Sequence, residues 1–306
     1  MKTSLIIPTL NASENWQALV DGIRQQDLAP DKVLVIDSSS TDGTASLARA
    51  AGFSVIEIDR RTFNHGATRQ AAAARLPDAD VLIYMTQDAV PCIAKSFRNL
   101  ISAFSDPGIG AAYGRQIPRP HASGIETHAR FFNYPPKSKV RSWASRSILG
   151  FKSIFFSNTF GAFRRSALMS IGGFSRYADF GEDTLAVAQL HRAGWKTAYV
   201  ADALVQHSHA NSLISEFRRY FQIGVFHGRE HWLVDEFGSA GGEGRRFVLS
   251  ELSYLLKHDP VEIPSALIRT LLKFAAYQAG RHERFTALWS GKTLPAKFAK
   301  LSVRRS

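Results

Sequence analysis

Apolar residues come in short runs over the first 113 positions, and a segment of helical period follows each run. Ser4–Pro8, Lys32–Asp37, Ser54–Asp59 and Val81–Thr86 read as strands. A helix is expected from Glu14 to Gln26, with Ser13 as its cap. A second opens after the turn cluster Ser38–Gly43 and runs to Ala51. Gly66–Ala74 and Ile93–Phe104 read as two more, and Ile109–Tyr113 as a further strand. Strands that alternate with helices predict an α/β fold: a doubly wound, mostly parallel sheet with helices on both faces.

The pattern changes at Gly114. From there to Phe156 the chain is rich in Pro, Arg, Lys and Ser, and its only acid is Glu126. This basic stretch, about 115–156, predicts loops and short helices and is expected to be mobile. Asn158–Phe163 is strand-like, Arg164–Ser170 a short helix, Glu182–Ala193 a well-patterned helix ended by Gly194, and Lys196–Val200 a strand. Beyond Leu213 the periodicity is mainly helical. The expected organisation is a sheet domain over 1–210, with the boundary near Asn211, and a helical C-terminal extension over 211–306.

Composition narrows the function classes. The chain has 306 residues, 45% of them hydrophobic and 21% charged, which is ordinary for a globular protein. A single cysteine, Cys92, excludes a disulfide framework and a cysteine metal cluster. Leu5-Ile-Ile7 is too short for the apolar core of a secretory leader and stops at Pro8, and no run is long enough to span a bilayer. The net charge of +12 favours polyanionic partners. Near the C-terminus, Leu267, Ile268, Leu271, Leu272, Ala275 and Ala276 recur at helical spacing beside Arg269, Lys273 and Arg281. Lys292, Lys297, Lys300, Arg304 and Arg305 follow, and Arg218, Arg219 and Arg229 lie upstream. A basic amphipathic segment of this kind predicts contact with an anionic membrane surface; the alternative is a helix packed on the core with a basic tail.

Ligands of an open α/β sheet bind beyond the carboxyl ends of its strands. Three strand ends carry notable groups: Pro8, Thr9 and Asn11 after the first, Asp37 and Ser39 after the second, and Thr86, Gln87 and Asp88 after the fourth. No G-x-G-x-x-G turn or Walker loop follows the first strand, which weighs against dinucleotide and P-loop chemistry. Asp37 is placed to contact a nucleoside, and Asp88 to hold Mg²⁺ or Mn²⁺ against its diphosphate. Taken singly, either acid also reads as a cap for the turn or helix after it.

Several segments resemble the family 2 glycosyltransferases, the large inverting group with a GT-A fold. They are SLIIPTLN (4–11), VLVIDSSSTDGT (33–44), the acid after the fourth strand and GGFSRYADFGEDTLAVAQLHRAGWKTAYV (172–200), in the family's order over about two thirds of the chain. Within the family, FNHGATRQ (63–70) and TQDA (86–89) are similar to bacterial rhamnosyltransferases of O-antigen and cell-wall polysaccharide assembly, whose donor is dTDP-L-rhamnose. The family's Asp-x-Asp element stands here as Thr86 and Asp88. The resemblance implies that Asp88 binds the divalent metal while Thr86 offers only a hydroxyl, so a second ligand is wanted. In Gln206-His-Ser-His209, His207 is favoured over His209. The resemblance also implies Asp183 as general base, with Glu182 orienting the acceptor. At a helix N-terminus Asp183 is expected to be ionised at neutral pH. Arg69 is expected to reach the diphosphate or the Asp37 rim, His65 the rhamnose, and Asn158 the donor or acceptor, with Gly66 permitting a tight turn. The implied acceptor is a glycan, often linked to polyprenyl diphosphate. The implied location is cytoplasmic, peripheral on the inner membrane.

Two other classes compete. A nucleotidyltransferase shares the sheet and the carboxylate–metal chemistry but typically begins with a Gly-rich basic loop, which PTLNASEN lacks. A basic module that binds nucleic acid or phosphate without catalysis would need an RNP-type or zinc motif that is not seen, and the charge lies outside the N-terminal sheet, so no nucleic-acid partner is expected. Within the enzyme class, a different UDP-, GDP- or dTDP-sugar is the alternative donor.

Overall fold

The computed structural model describes residues 1–208, 212–238 and 241–282; His209 and the basic positions from Lys292 to Arg305 lie outside them. The elements in chain order are β1 (Thr3–Thr9), α1 (Ser13–Arg24), β2 (Lys32–Asp37), α2 (Thr44–Ala50), β3 (Ser54–Glu57), α3 (His65–Ala74), β4 (Val81–Met85), β5 (Val90–Pro91), α4 (Ser96–Ser102) and β6 (Ile109–Ile117). Then come α5 (Gly124–Asn133), β7 (Lys139–Arg141), α6 (Arg146–Leu149), β8 (Phe160–Arg164), α7 (Arg165–Ser170), α8 (Glu182–Arg192) and β9 (Lys196–Gln206). Four helices follow: α9 (Leu213–Arg229), α10 (His231–Phe237), α11 (Gly241–His258) and α12 (Ile263–Arg281).

All strands join one sheet in the order β3-β2-β1-β4-β8-β6-β9-β5, with β7 also paired to β9. Pairing is parallel across β3-β2-β1-β4 and between β6 and β9. β8 runs antiparallel between β4 and β6, and β5 and β7 run antiparallel to β9. β4 is buried at all five positions, as a strand covered on both faces must be. Trp16, Leu19, Val20 and Ile23 give α1 a buried stripe at three- and four-residue spacing, and they pack with Leu5, Ile7, Val81 and Ile83 in the main core.

The basic stretch after Gly114 contains more regular structure than its composition predicts. β6 continues through Ile117, α5 opens on a capping box made by Ser123 and Glu126, and β7 adds a short edge strand. β9 runs six residues past the expected Val200, because its pairing to β6 slips between Gly114 and Arg115 and resumes at Leu204. That continuation carries the chain to His207.

The chain divides into two compact units. The first comprises Met1–Ala210 and Trp232–Ala266 and contains the whole sheet; the second comprises Asn211–His231 and Leu267–Ser306. In the second unit α9 packs on the C-terminal part of α12, where Glu216 of α9 meets Arg269 and Lys273 of α12.

Candidate active site

The ends of β1 and β2 form a rim held by the chain's own hydrogen bonds. Thr9 lies opposite Asp37 in the parallel register, one step beyond Pro8 and Ile36. Asp37 is fully buried; its Oδ2 accepts from Thr9 Oγ1 at 2.9 Å and Ser40 Oγ at 2.6 Å, and its Oδ1 from the Ser40 amide at 2.8 Å. Three donors offset the cost of burying the carboxylate. Asn11 (φ 48°) and Ser39 (φ 59°) are the two non-glycine residues with left-handed backbone among the described residues. Both are held there by hydrogen bonds, Asn11 Oδ1 from the Thr41 amide at 2.9 Å and Ser39 Oγ to Ile58 O at 2.8 Å. Such strain persists where surrounding contacts over-determine it, and it gathers at ligand sites. Gln87 ties the neighbouring strand end to this rim: Oε1 accepts from the Leu10 amide at 2.7 Å and Nε2 donates to Leu10 O at 3.0 Å. Its amide therefore fixes backbone.

Asp88 stands just past β4, and His207 just past β9. His207 Nε2 is 3.5 Å from Asp88 Oδ1. His207 Nδ1 lies 2.9 Å from Gln116 Oε1, and Gln116 Nε2 donates to Ser157 Oγ at 3.0 Å. Because an amide oxygen only accepts, this contact places a hydrogen on Nδ1 and turns Nε2 toward Asp88. A carboxylate oxygen facing an imidazole nitrogen, with an acceptor behind the ring, is the donor set a borderline divalent ion takes. Among the described residues no group of three or more His, Cys, Asp or Glu is poised for a metal, so diphosphate and water oxygens would complete the coordination. Thr86 donates its amide to Thr159 O at 3.2 Å, while its buried Oγ1 has no partner among the described residues.

A second acidic group lies where α8 begins. Glu182 is buried, and its Oε1 accepts from Arg69 Nη1 at 2.8 Å and Asn158 Nδ2 at 3.0 Å. Glu182 thus anchors Arg69 and Asn158. Arg69, itself buried on α3 and expected from sequence to reach the diphosphate or the Asp37 rim, pairs with Glu182 and lies 3.0 Å from His65 Nδ1. Burial first, and then the Arg69 charge, lower the pKa of His65 and keep the ring neutral. Asp183 Oδ2 accepts from the Asn158 amide at 3.2 Å and Oδ1 from the Thr184 amide at 2.7 Å. Burial and the adjacent Glu182 charge nevertheless push Asp183 up to about 7, against the pull of Arg69 and those two amides. The helix dipole expected to keep this acid ionised is outweighed by desolvation and a like charge. Asn158 Oδ1 is buried without a partner among the described residues.

Gly66 explains how α3 reaches this place. It lies inside the first turn of α3, where a Cβ would come 1.9 Å from Ser175 O, and its amide donates to Ala178 O at 3.2 Å. Its value is close approach to the loop that leads into α8, and not a tight turn. Asn64 caps α3 through the Ala67 amide at 2.9 Å and bonds Asp179 on the same loop.

One short segment connects the two acidic centres. Ser157 reaches Asp88 through Gln116 and His207, Thr159 holds Thr86, and Asn158 holds Glu182 and Asp183. Gln116 and Ser157 escape sequence reading; the one signal for Gln116 is an amide inside an otherwise apolar strand. The arrangement joins the Asp88–His207 pair to a carboxylate of raised proton affinity. Those are the parts needed to deprotonate a hydroxyl while charge leaves on a diphosphate.

Known proteins resemble this chain over nearly its whole length. The O-antigen chain rhamnosyltransferase RfbN of Salmonella typhimurium is 47% identical over 283 residues, covering 92% of this chain and 90% of that protein. The O-antigen chain rhamnosyltransferase WbaN of Salmonella anatum is 40% identical over 280 residues, covering 91% and 89%. Among solved structures, the mannosyltransferase PcManGT from Pyrobaculum calidifontis, in complex with GDP-Man and Mn²⁺, superposes with a TM-score of 0.56 at 20% identity, covering 94% of this chain and 78% of that one. Residues 1–349 of S. aureus TarS superpose with a TM-score of 0.54 at 13% identity, covering 96% and 93%. At such identities the likeness shows the fold alone, and it is the GT-A-like fold that the sequence resemblance implies. Residues 4–172 match the profile of glycosyl transferase family 2, and with relatives this similar over nearly the whole chain, the protein belongs to that family.

Proposed function

We propose that this glycosyltransferase is an inverting, metal-dependent rhamnosyltransferase. It moves L-rhamnose from dTDP-L-rhamnose to a cell-surface polysaccharide precursor, an O-antigen oligosaccharide carried on polyprenyl diphosphate, at the cytoplasmic face of the inner membrane. The observation that carries the chemistry is the meeting of Asp88–His207 and Glu182–Asp183 around residues 157–159. The sugar rests on 47% identity to a protein named as an O-antigen chain rhamnosyltransferase.

In this mechanism the sheet domain over 1–210 carries both substrates. Thr9, Asn11, Asp37 and Ser39 shape the rim that receives the nucleoside, and Gln87 fixes that rim to the end of β4. Asp88 and His207 would hold the divalent ion, which when bound would supply positive charge to the diphosphate leaving group. Asp183 accepts the proton of the acceptor hydroxyl as the acceptor oxygen bonds to the anomeric carbon. The bond from that carbon to the diphosphate oxygen breaks on the opposite face, and its electron pair leaves with dTDP. Glu182, Arg69 and Asn158 position Asp183; they do not touch the reacting atoms.

Thermal stabilisation by dTDP, UDP and GDP, each with and without Mn²⁺, tests this reading. Stabilisation is expected to be largest with dTDP plus Mn²⁺ and to disappear in Asp88→Ala and His207→Ala. In Gln116→Leu the imidazole loses its orienting acceptor, and the metal requirement is expected to rise about 10–100-fold. A preference for UDP or GDP would keep the glycosyltransferase and overturn the rhamnose assignment. No response to any nucleotide would overturn the nucleotide site itself.

A further inference from the structure

The second unit has its polarity turned inside out. α9 and α12 approach at backbone distance: a Cβ on Gly224 would lie 2.2 Å from Tyr277 O, and one on Gly280 would lie 2.1 Å from Phe221 O. Gly224 with Gly228, and Ala276 with Gly280, repeat the small-residue spacing that packs helices in lipid. Arg269 and Lys273 of α12 turn inward, while Arg281 at the end of the helix is exposed. Arg269 Nη1 lies 2.9 Å and Lys273 Nζ 3.5 Å from the buried Glu216 carboxylate, and His227 Nδ1 meets Tyr277 Oη at 3.1 Å.

The large apolar residues turn outward. Leu267, Ile268, Leu271 and Phe274 are 45%, 57%, 71% and 63% exposed, in one stripe that continues through Ala275 and Gln278 and carries no charge. A helical pair dissolved in water does the opposite. The exposed face of α9 instead carries Arg218, Arg219 and Arg229. Apart from Glu216, neither α9 nor α12 beyond Leu267 contains an acid. A second copy of the chain would therefore meet this surface with like charge, whereas anionic headgroups complement it. No described helix is long and apolar enough to cross a membrane, so the contact lies in the interface.

We propose that α12 lies in the headgroup–acyl boundary of an anionic bilayer, with the Leu267–Ile268–Leu271–Phe274 stripe among the chains and Arg218, Arg219 and Arg229 on the phosphates. This attachment holds whichever sugar the enzyme moves. It turns the amphipathic segment expected from sequence over: the apolar stripe is the free face, and Arg269 and Lys273 are spent inside.

Co-sedimentation of the full chain with vesicles of phosphatidylcholine alone, or with phosphatidylglycerol added, tests it. The chain is expected to sediment with the anionic vesicles and at least tenfold less with the neutral ones. The variant Ile268→Asn/Leu271→Asn, altered at exposed positions, is expected to lose about tenfold in binding while keeping its far-UV spectrum and nucleotide response. Arg218→Gln/Arg219→Gln is expected to weaken binding and flatten its salt dependence. Wild-type binding to anionic vesicles that the stripe variant retains in full would overturn the proposal and move the contact to the basic residues beyond 282. A wild-type chain that self-associates, becomes monomeric in the stripe variant and ignores vesicles would overturn it in favour of a contact between copies.

Discussion

Replacing Asp183 by Asn is expected to lower turnover by about 10²–10⁴-fold and, at pH 8, to raise the melting temperature. Both effects come from one property. Asp183 titrates near 7 in the folded chain, pushed up by burial and Glu182, against 3.8 for an ordinary aspartate. Between those two values the folded protein keeps a proton that the unfolded chain has released, so stability falls as pH rises through this window. Asparagine carries no such cost, although it cannot accept from both the Asn158 and Thr184 amides as the carboxylate does. The stabilisation should therefore be largest above pH 7, shrink as the pH drops toward 4, and be reduced by about 1 kcal/mol for the lost hydrogen bond. In the wild type, kcat/KM should fall about tenfold per unit below pH 7, because the base must be ionised to accept a proton. Melting curves at several pH values and a pH–rate profile check the two halves separately. A variant that keeps wild-type turnover would eliminate Asp183 as the base.

Arg69→Met is expected to be the most destabilising single change near the site. Arg69 and Glu182 are both buried, and removing the guanidinium leaves a carboxylate with one neutral donor, Asn158 Nδ2. Breaking a buried pair from one side costs about 3–5 kcal/mol, roughly 5–15 °C in melting temperature for a domain of this size. The double variant Arg69→Met/Glu182→Leu should recover most of that loss, because it removes both charges together. The two variants also move the chemistry in opposite directions. Without Arg69 the acid limb of the rate profile shifts upward, since a cation that favours ionised Asp183 is gone; without Glu182 as well it shifts downward, since the like charge is gone. If instead Arg69 holds the donor diphosphate, the single variant should raise KM for the nucleotide sugar and leave the acid limb in place.

The parallel half of the sheet is legible from sequence because β1, β2 and β4 are mostly buried, and their apolar runs end close to where the ligand rim begins. Asp37 and Asp88 announce themselves as acids at or just past such ends, whereas Asp183 is marked by the family resemblance at the start of α8. What the sequence does not carry is where a buried side chain turns. Arg69 is four residues along α3 from His65, and nothing local distinguishes a turn toward Asp37 from a turn toward Glu182, 113 residues on. The expected ionisation of Asp183 rested on the one influence that is local, the start of α8. Desolvation and the Glu182 charge belong to the assembled site and reverse it. Gln116, Ser157 and His207 form a chain whose links span 41 and 91 residues, so no spacing rule reveals it. β9 was expected to end at Val200 because the slip against β6 interrupts its pattern there. On α12 the helical spacing is legible, but the partner that turns Arg269 and Lys273 inward is Glu216 on another helix.

The most direct test of the account is the configuration of the product. The enzyme is incubated with dTDP-L-rhamnose, Mn²⁺ and a lipid-linked or synthetic oligosaccharide acceptor, and the new linkage is read by NMR at the anomeric carbon. The account predicts a rhamnosyl product whose anomeric configuration is opposite to the donor's, formed in the wild type and not in Asp88→Ala or Asp183→Asn. A product with retained configuration, or transfer only from a UDP- or GDP-sugar, would contradict it.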